Sequence, residues 1–496
     1  MLKMPAPDAS ALRQFPRALA AFRRILPPAG VITTPAELRP YECDALTAYR
    51  QMPLAVLLPE NTQQISRVLA VCAREGINVV GRGAGTSLSG GALPLADGIV
   101  LGLSRLNRIL HIDYDNRAVT AQSGVSNLAI THAVQARGWF YAPDPSSQIV
   151  CSIGGNVAEN SGGVHCLKYG LTTNNVLGAE VVLPDGVIVR VGGKQLEHDV
   201  YDLLGLLTGS EGLLGIITEV TLRILPKPER AAGLLASFDA IEAAGGCVAA
   251  IIARGVIPAG MEIMDRLATN AAEDYCAPGY PRDAGAVLLL EIDGSESEVA
   301  EQLAEVCAAS DGCGATRIVE ARDDAARTRM WAGRKAAFPA VGRLAPDYYC
   351  MDGTIPRREL PYVLARLREL AREFGLEVAN VFHAGDGNLH PLILYDANTP
   401  GQLERAETLG AEILKLCVER GGVLTGEHGV GVEKRDLMGT MFSEVDLAQQ
   451  ERVKCAFDPD SRLNPGKVFP VLHRCAELGR VHVHAGRTRF PELPRF

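Results

Sequence analysis

Residues 382–391 (FHAGDGNLHP) place two histidines at either end of a short polar turn. His383 and His390 flank a Gly-Asp-Gly-Asn sequence, with the apolar runs VANVF before it and PLILY after it. Apolar runs on both sides of a glycine-containing turn are typical of a β-hairpin. We therefore expect a hairpin that brings the two imidazoles close together, where they could bind a metal ion.

A second segment, residues 425–435 (TGEHGVGVEKR), carries Glu427 and His428 at a glycine turn, which we expect to open a helix. Together the two segments supply two histidines and one carboxylate, a common donor set for catalytic divalent metals with open positions. A single histidine is more often structural, but two histidines on one short turn together with a Glu-His pair favour a functional site. His482 and His484 show no such grouping, and we expect them at the surface.

Glycine-rich segments in the first half of the chain could hold a ligand that carries phosphates. Residues 81–94 (GRGAGTSLSGGALP) combine five glycines with three hydroxyl side chains, so several backbone N–H groups could face one pyrophosphate. The segment matches neither Gly-x-x-x-x-Gly-Lys-Ser/Thr nor Gly-x-Gly-x-x-Gly, which disfavours a nucleoside triphosphatase and a standard Rossmann domain. A plain flexible loop is the alternative for this segment alone.

Further glycine clusters follow the first loop. Two lie at residues 154–156 (GGN) and 161–163 (SGG), and another glycine turn enters a strand within residues 209–223. A backbone with so many glycines and polar residues rarely packs into a hydrophobic core. We therefore expect these segments to lie against a flat ligand.

The composition is that of a large globular chain. The 496 residues suggest two to three domains, and a net charge of −9 argues against nucleic acid or an anionic membrane as the main partner. The 12 cysteines form no Cys-x-x-Cys pair, so we expect reduced thiols and no iron–sulfur cluster. No apolar run approaches the roughly 20 residues of a membrane span.

The N-terminal residues have the apolar spacing of an amphipathic helix and no pattern of a secretory signal. Because Pro16 does not suit a helix interior, we expect the helix to begin there and not at Leu12. A transit peptide is the alternative.

The remaining chain alternates strands and helices in two blocks. Residues 54–228 form the first block, which includes a hairpin turning at residues 184–186 (PDG). The second block begins near Ala232 and has an α+β pattern with antiparallel strands, including a long helical stretch at residues 325–344. A final helical segment is expected at residues 404–455.

In this order, the glycine-rich segments resemble the FAD domain of the vanillyl-alcohol-oxidase type, also called the p-cresol-methylhydroxylase (PCMH) type. The resemblance covers about residues 54–228 and implies that the first glycine loop holds the FAD pyrophosphate. Covalent relatives often use a histidine in or near that loop; none lies between Gly81 and Gly91, so we expect non-covalent FAD. The residues implied to contact FAD are Arg82, Gly83, Ala84, Gly85, Thr86, Ser87, Ser89, Gly90, Gly91, Pro143, Ser152, Gly155, Asn156, Ser161, Gly162, Glu211, Gly212 and Ile217.

The two histidine-bearing segments resemble the C-terminal substrate domain of FAD-linked 2-hydroxy-acid dehydrogenases, whose substrates include D-lactate, glycolate and D-2-hydroxyglutarate. The resemblance implies a divalent metal (zinc, manganese or iron) on His383, His390 and Glu427. It implies that His428 takes the substrate hydroxyl proton while hydride passes to flavin N5. It also implies that Arg334 binds the substrate carboxylate, the alternative being a surface arginine.

Over essentially its whole length, the chain resembles the FAD-linked D subunits of bacterial glycolate oxidases. Where the branch acting on 2-hydroxyglutarate carries a lysine and an asparagine for the distal carboxylate, this chain has Cys350 and Leu392, which favours glycolate or D-lactate. The resemblance implies two partners, an iron–sulfur subunit and a second FAD-domain subunit. It implies a cytoplasmic enzyme that reaches the inner face of the membrane through a partner.

We therefore predict an α+β fold. A PCMH-type FAD-binding domain of two subdomains (51–228) precedes an α+β substrate domain with an antiparallel sheet (229–424). An N-terminal helical segment (1–50), a C-terminal helical segment completing the active site (425–470) and a tail (471–496) make up the rest. The alternatives are a D-lactate or D-2-hydroxyglutarate dehydrogenase of the same fold, a catalytically silent flavin-binding subunit, and a nicotinamide-dependent reductase with the same FAD domain.

Overall fold

The computed structural model describes residues 4–194 and 201–470, so the predicted tail, with His482 and His484, lies outside the described residues. The strands of the first half are β1 (Val31–Ile32), β2 (Ala55–Leu57), β3 (Asn78–Arg82), β4 (Gly98–Gly102), β5 (Ile109–Asp113), β6 (Ala118–Gln122), β7 (Trp139–Phe140), β8 (Val176–Val182), β9 (Ile188–Gly192), β10 (Ile216–Arg223) and β11 (Leu225–Pro226). The helices of this half are α1 (Ala9–Ile25), α2 (Pro35–Leu38), α3 (Thr62–Glu75), α4 (Asn127–Val134), α5 (Ile153–Glu159), α6 (Cys166–Tyr169) and α7 (Leu203–Leu207).

These strands form two main sheets. The first has the order β1-β2-β4-β3, with β2, β3 and β4 parallel, and the second is antiparallel with the order β5-β6-β10-β8-β9. The predicted hairpin at residues 184–186 is confirmed as the connection between β8 and β9. The glycine-rich loop at residues 83–97 follows β3, so the sheet fixes where that loop begins.

The second half is built on one large sheet. Its strands are β12 (Arg230–Phe238), β13 (Gly260–Asp265), β14 (Ala286–Gly294), β15 (Arg317–Glu320), β16 (Asp347–Cys350), β17 (Val378–His383) and β18 (Pro391–Tyr395). Its helices are α8 (Ile241–Ala253), α9 (Arg266–Cys276), α10 (Glu296–Gly312), α11 (Asp324–Lys335), α12 (Ala337–Val341), α13 (Leu360–Phe374), α14 (Gln402–Glu419), α15 (Met438–Met441) and α16 (Glu444–Phe457). The seven strands are antiparallel in the order β15-β12-β14-β13-β17-β18-β16, which confirms the predicted antiparallel sheet.

This large sheet is buried on both faces, which explains the continuous apolar sequence of β14. Leu288 and Leu290 face one core with helices α8 and α13, while Val287 and Leu289 face another with helices α9 and α12. Each fully buried side chain of this size contributes about 1.5–3 kcal/mol. The sheet therefore forms a base, packed on both faces, for the turns at its edges.

The N-terminal helix begins earlier than predicted. It spans Ala9–Ile25, with Pro16 inside it, because the side chain of Asp8 accepts a hydrogen bond from Ser10 N–H at 2.7 Å and caps the helix. The helix lacks the backbone hydrogen bond that the proline cannot donate. Burial of Ala18 and Phe22 against the first sheet's core offsets that loss.

Two predicted helical stretches are interrupted. The stretch at residues 325–344 divides into α11 and α12, because Pro339 cannot donate to the carbonyl four residues before it. The segment at residues 404–455 contains a loop at residues 420–434, where Gly421, Gly429 and Gly431 have positive φ. The expected helix after Glu427 is therefore absent, and Glu427 and His428 lie on this loop.

Within the described ranges, the cysteines are free thiols, as predicted. None of the helices in those ranges has an apolar stretch of the length that a membrane span needs.

Candidate active site

One cavity of about 470 Å³ brings most of the predicted site residues together. From the metal and proton-transfer set, its wall includes His383, His390, Glu427 and His428. From the FAD set, its wall includes Arg82, Gly83, Ala84, Gly85, Thr86, Ser87, Gly91, Ser152, Gly155, Asn156, Ser161, Glu211, Gly212 and Ile217. Glycine segments that are far apart in the sequence therefore meet the histidine hairpin around a single space.

Five predicted residues do not line this cavity: Ser89, Gly90, Pro143, Gly162 and Arg334. The Ser89 carbonyl instead accepts hydrogen bonds from the N–H groups of Val432 and Glu433. Gly162 N–H donates to Oε2 of Glu427 at 3.0 Å. These two residues therefore hold the loop at residues 420–434, and Gly90 packs beside Val432.

The first glycine loop is too closely packed for side chains at two positions. A Cβ at Gly83 would lie 2.0 Å from Oγ of Ser152, which belongs to the second glycine-rich segment. Gly85 has φ +75°, and a Cβ there would lie 2.2 Å from Nη2 of Arg82. Glycine at these positions lets backbone lie directly against the cavity.

Two buried polar atoms near this loop have no hydrogen-bond partner among the described residues. They are Nδ2 of Asn156 and Oε2 of Glu159, both from residues of the cavity wall. Burial raises the pKa of Glu159 well above its usual value, and the nearby carboxylate of Glu211 raises it further. A buried polar atom without a partner costs about 1–3 kcal/mol, so these atoms fit a polar ligand such as FAD.

The hairpin fixes the orientation of both imidazoles, and the predicted β-hairpin is confirmed. His383 is the last residue of β17, and its Nδ1 lies 2.7 Å from Oε1 of Glu262. Nδ1 of His390 lies 3.2 Å from the carbonyl oxygen of Met351. Because a carboxylate and a carbonyl only accept hydrogen bonds, Nδ1 of each ring donates. This outer partnership is typical of metal-binding histidines.

The Nε2 atoms of the two rings converge on Glu427. They lie 3.4 Å (His383) and 3.0 Å (His390) from the same carboxylate oxygen, Oε1. Burial lowers the pKa of His383, but the carboxylates of Glu262 and Glu427 outweigh it and raise the pKa to about 10. A positive charge is therefore favoured where the three side chains meet. Their ligand atoms lie within 4.8 Å of one another, so this donor set fits a divalent cation.

His428 stands beside this group with a free ring nitrogen. Its ring stacks on that of His390, with 4.8 Å between centroids and 9° between planes. Its Nδ1 is buried and bonds none of the described residues. Burial lowers the pKa of His428 to about 4, although Asp352 opposes the shift. A neutral imidazole in a cavity can accept a proton.

Asp352 organises the loop that carries Glu427 and His428. One of its oxygens accepts hydrogen bonds from the N–H groups of Gly426 at 3.0 Å and His428 at 2.9 Å, and from the hydroxyl of Thr425. Burial would raise the pKa of Asp352, but the charge that His428 carries at low pH and the charge of Lys434 outweigh it and lower the pKa to about 2. The loop is therefore wrapped around an ionised carboxylate.

Sequence reasoning assigned no role to Asp352 or Glu262. Asp352 lies in the sequence MDGTIP, and its partners in the loop are more than 70 residues away along the chain. Glu262 stands within the apolar strand β13 and is fully buried. A lone acid in a buried strand is rare unless it is paired, and that was the available signal.

Arg334 is placed differently from the prediction. It is 1% exposed, lies behind the cavity wall, and places Nε and Nη2 each 2.7 Å from Oε2 of Glu262. The next residue, Lys335, lies on the cavity wall instead. Arg334 therefore does not line the cavity, although its buried Nη2 has no hydrogen-bond partner among the described residues.

The two positions that the resemblance linked to substrate size are direct neighbours. Cys350 on β16 pairs with Leu392 on β18 across the sheet, and both side chains are buried. Neither lines the cavity. The sulfur of Cys350 also lies within 4.8 Å of nitrogen atoms of His390 and His428.

Two domain families match this chain. A family described as FAD binding domain matches residues 53–192, and one described as FAD linked oxidases, C-terminal domain, matches residues 227–468.

Several curated relatives align over most of the chain. It is 56% identical to glycolate oxidase subunit GlcD of Escherichia coli (strain K12), over 96% of each chain. It is 41% identical to the Bacillus subtilis (strain 168) protein of that name, over 86% of this chain and 92% of the relative. A D-lactate dehydrogenase of Archaeoglobus fulgidus is 34% identical, over 84% of this chain and 91% of the relative.

Solved structures share the fold at low identity. 4-Ethylphenol oxidase from Gulosibacter chungangensis superposes with a TM-score of 0.79 at 19% identity, covering 94% of this chain and 99% of that one. p-Cresol methylhydroxylase with bound substrate gives 0.80 at 18% identity, covering 94% and 98%. The predicted PCMH-type fold is therefore confirmed. With its FAD-binding domain, its C-terminal oxidase domain and relatives aligned along nearly its full length, the chain belongs to the family of FAD-linked oxidases and is an FAD-dependent oxidoreductase.

Proposed function

We propose that this enzyme oxidises a small 2-hydroxy acid, glycolate or D-lactate, to the 2-oxo acid. One observation carries the proposal: His383, His390 and Glu427 line the same cavity as the glycine segments of the FAD-binding domain. A hydroxy acid bound at the histidines would therefore share one cavity with the flavin. The names of the relatives, two glycolate oxidase subunits and a D-lactate dehydrogenase, support this substrate class.

His383, His390 and Glu427 would hold a divalent cation, and the glycine loops would hold FAD without a covalent bond. When bound, the cation would polarise the substrate hydroxyl and the flavin would supply the acceptor for the C2 hydride. His428 takes the hydroxyl proton, because burial keeps its ring neutral near pH 7 and its Nδ1 has no partner among the described residues. Asp352 holds His428 in place by accepting a hydrogen bond from the backbone N–H of His428.

The substrate carboxylate needs a cation, and two neighbouring residues offer one. Lys335 lies on the cavity wall and forms no ion pair with any described residue. Arg334, predicted from the family resemblance, lies behind that wall, where Glu262 neutralises its charge. The geometry therefore favours Lys335, and Arg334 remains the second candidate.

The cavity near His390 favours a small acid. The ring of Phe338 lines the cavity and meets the ring of His390 edge-on, with 6.3 Å between centroids. The resemblance places the partners of a second carboxylate at Cys350 and Leu392, which carry no charge and do not line the cavity. Glycolate and D-lactate have no second carboxylate, whereas D-2-hydroxyglutarate would leave a charged group unpaired at a high cost.

The reduced flavin must pass its electrons to an acceptor. We propose an iron–sulfur subunit as that acceptor and a second FAD-domain subunit as a further partner, placing the complex in the cytoplasm at the inner face of the membrane. The support is the name of two relatives, each a subunit of glycolate oxidase.

Anaerobic bleaching of the flavin absorbance tests the substrate assignment. Glycolate, D-lactate and D-2-hydroxyglutarate would be added separately to the purified protein, before and after removal of divalent cations by a chelator. We expect rapid bleaching by glycolate or D-lactate that is lost on chelation and restored by added zinc, manganese or iron.

Other outcomes of this experiment favour specific alternatives. Bleaching by D-2-hydroxyglutarate alone would overturn the assignment based on Cys350 and Leu392. Bleaching that survives complete removal of cations would overturn the metal site. No bleaching by any acid, with FAD bound, would favour a catalytically silent flavin-binding subunit, and bleaching by NADPH alone would favour a reductase.

A further inference from the structure

The loop at residues 425–434 is held at its two ends by different halves of the molecule. Its first part, with Glu427 and His428, is bound by Asp352 of the second half of the chain. Its second part is bound by Glu211 of the FAD-binding half, whose oxygens accept from backbone N–H groups at residues 430 and 431, each at 2.7 Å. The loop therefore bridges the flavin side and the metal side of the cavity.

The contact with the FAD-binding half is close along the whole second part of the loop. A Cβ at Gly431 would lie 2.2 Å from the carbonyl oxygen of Ser89, and one at Gly429 would lie 2.3 Å from Oε2 of Glu159. Ser89 belongs to the first glycine loop, and Glu159 lines the cavity. Only glycines allow this approach, so the loop rests directly on the backbone that surrounds the flavin space.

Glu211 has a backbone conformation that glycine would adopt more easily. Its φ is +51°, a left-handed conformation that is uncommon and strained for a residue with a side chain. Its N–H donates to the carbonyl of Ala158, and its carbonyl accepts from Nδ2 of Asn464 at 2.7 Å, so the backbone is fixed on both sides. The fixed backbone sets where the side chain begins, and from there the carboxylate reaches the N–H groups at residues 430 and 431.

We propose that Glu211 is a positioning residue for the metal site, acting through the loop. Its carboxylate holds the backbone at Val430 and Gly431, only two to four residues from Glu427 and His428, and thereby keeps Glu427 at the distance from His383 and His390 that a cation requires. The family resemblance implied an FAD contact for Glu211; this second role rests on the proposed function, because it presupposes a cation at those three residues.

The carboxylate's chemistry makes the isosteric variant Glu211→Gln informative. Glutamine keeps the size of the side chain but replaces one accepting oxygen with an N–H₂ group, which faces a backbone N–H donor. One of the two hydrogen bonds is lost, and two donors then point at each other. Glu211→Ala removes both hydrogen bonds. The matched control is Asp202→Asn, since the exposed Asp202 also accepts from a backbone N–H, that of Gly205, but does not touch the loop.

The experiment compares these variants with the wild type as FAD-loaded proteins. Zinc affinity would be measured by calorimetry after chelator treatment, together with FAD content, and backbone amide exchange would be followed at residues 425–434. We expect zinc affinity to fall about 10–100-fold in Glu211→Gln and further in Glu211→Ala, as for other residues that support metal ligands. Amide exchange at residues 430 and 431 should rise, FAD content should stay equal, and Asp202→Asn should match the wild type.

The possible failures are distinct. Wild-type zinc affinity and unchanged amide exchange in FAD-loaded Glu211→Gln would overturn the positioning role while leaving the proposed function intact. If Glu211→Gln loses FAD together with zinc, Glu211 serves the flavin and the inference is overturned. If the wild type itself binds no divalent cation, the proposed function fails and this inference fails with it.

Discussion

Glu262 and His383 lie directly opposite each other on the neighbouring strands β13 and β17, and their side chains meet at 2.7 Å. The other oxygen of Glu262 accepts from Nε of Arg334, also at 2.7 Å. All three side chains are buried. One carboxylate therefore sets the orientation of a predicted metal ligand and neutralises an arginine behind the cavity wall.

Replacing this carboxylate should weaken both the metal site and the fold. We expect Glu262→Gln to lower zinc affinity about 10–100-fold, because His383 loses its anionic partner. It should also lower the free energy of unfolding by about 3–5 kcal/mol, because the charge of Arg334 is left without compensation in the interior. Zinc calorimetry and urea denaturation measure the two effects.

The control for this prediction is Glu296→Gln. Glu296 is exposed and lies 3.9 Å from Arg230, so its loss should change the free energy of unfolding by less than about 1 kcal/mol. Equal effects of the two substitutions would contradict the role given to Glu262.

His428 should be needed for flavin reduction and not for FAD binding. We expect His428→Ala to slow anaerobic flavin reduction by about 10²–10⁴-fold, the usual contribution of a general base. FAD content should stay at the wild-type level, because other residues line the flavin side of the cavity. Stopped-flow absorbance measures the rate. The control is His111→Ala, at an exposed position on β5. If His428→Ala loses FAD while His111→Ala retains it, the role assigned to His428 is contradicted.

Lys335 and Arg334 can be separated by their effects on KM and on stability. We expect Lys335→Met to raise the KM for glycolate or D-lactate about 10–150-fold, the effect of losing a charged hydrogen bond, with unfolding unchanged. Lys335→Arg should restore most of the affinity. Arg334→Met should instead destabilise the fold, because Glu262 is left unpaired. The reverse pattern, with KM altered only at Arg334, would restore the role that the resemblance implied.

His165 should make stability depend on pH. Its Nδ1 lies 2.9 Å from Asp144 and its Nε2 lies 3.3 Å from Glu291, so it joins the two halves of the chain. Burial lowers the pKa of His165, but the two carboxylates outweigh it and hold the pKa well above 6.5. A pKa raised on folding gives stability that is complete below the unfolded value of about 6.5 and is lost as the pH rises through the folded value.

Melting temperatures of the wild type and of His165→Gln from pH 5 to pH 10 measure this effect. The wild type should be more stable by a constant margin up to about pH 6.5, and the margin should shrink at higher pH. His132→Gln, at an exposed position in α4, is the control. A margin that grows with pH would show that His165 is neutral in the folded protein.

The local features of the site could be predicted from residue spacing alone. The hairpin that joins His383 and His390 depends on a few neighbouring residues, since a short glycine-containing turn between two apolar runs leaves few other conformations. The glycine loops were recognisable from the same kind of signal, and the family resemblance implied that they surround FAD. The α+β class and the antiparallel sheet were likewise predictable, because period and turn positions are short-range properties.

Long-range pairing lies beyond such patterns. Glu262 is 121 positions from His383 in the chain, and only the register of β13 against β17 makes them partners. Glu211 reaches the loop at Gly431 across 220 positions, through the packing of the two halves of the chain against each other. Successive side chains on a helix point about 100° apart, so Arg334 and Lys335 face different directions. Only the packing of α11 decides that the lysine lies on the cavity wall and the arginine behind it. Residue types and their spacing thus specify the parts of the active site. Strand register and helix rotation select which charged groups meet inside it. The sequence pattern does not reveal register or rotation, because both depend on contacts that form only once the whole chain has packed.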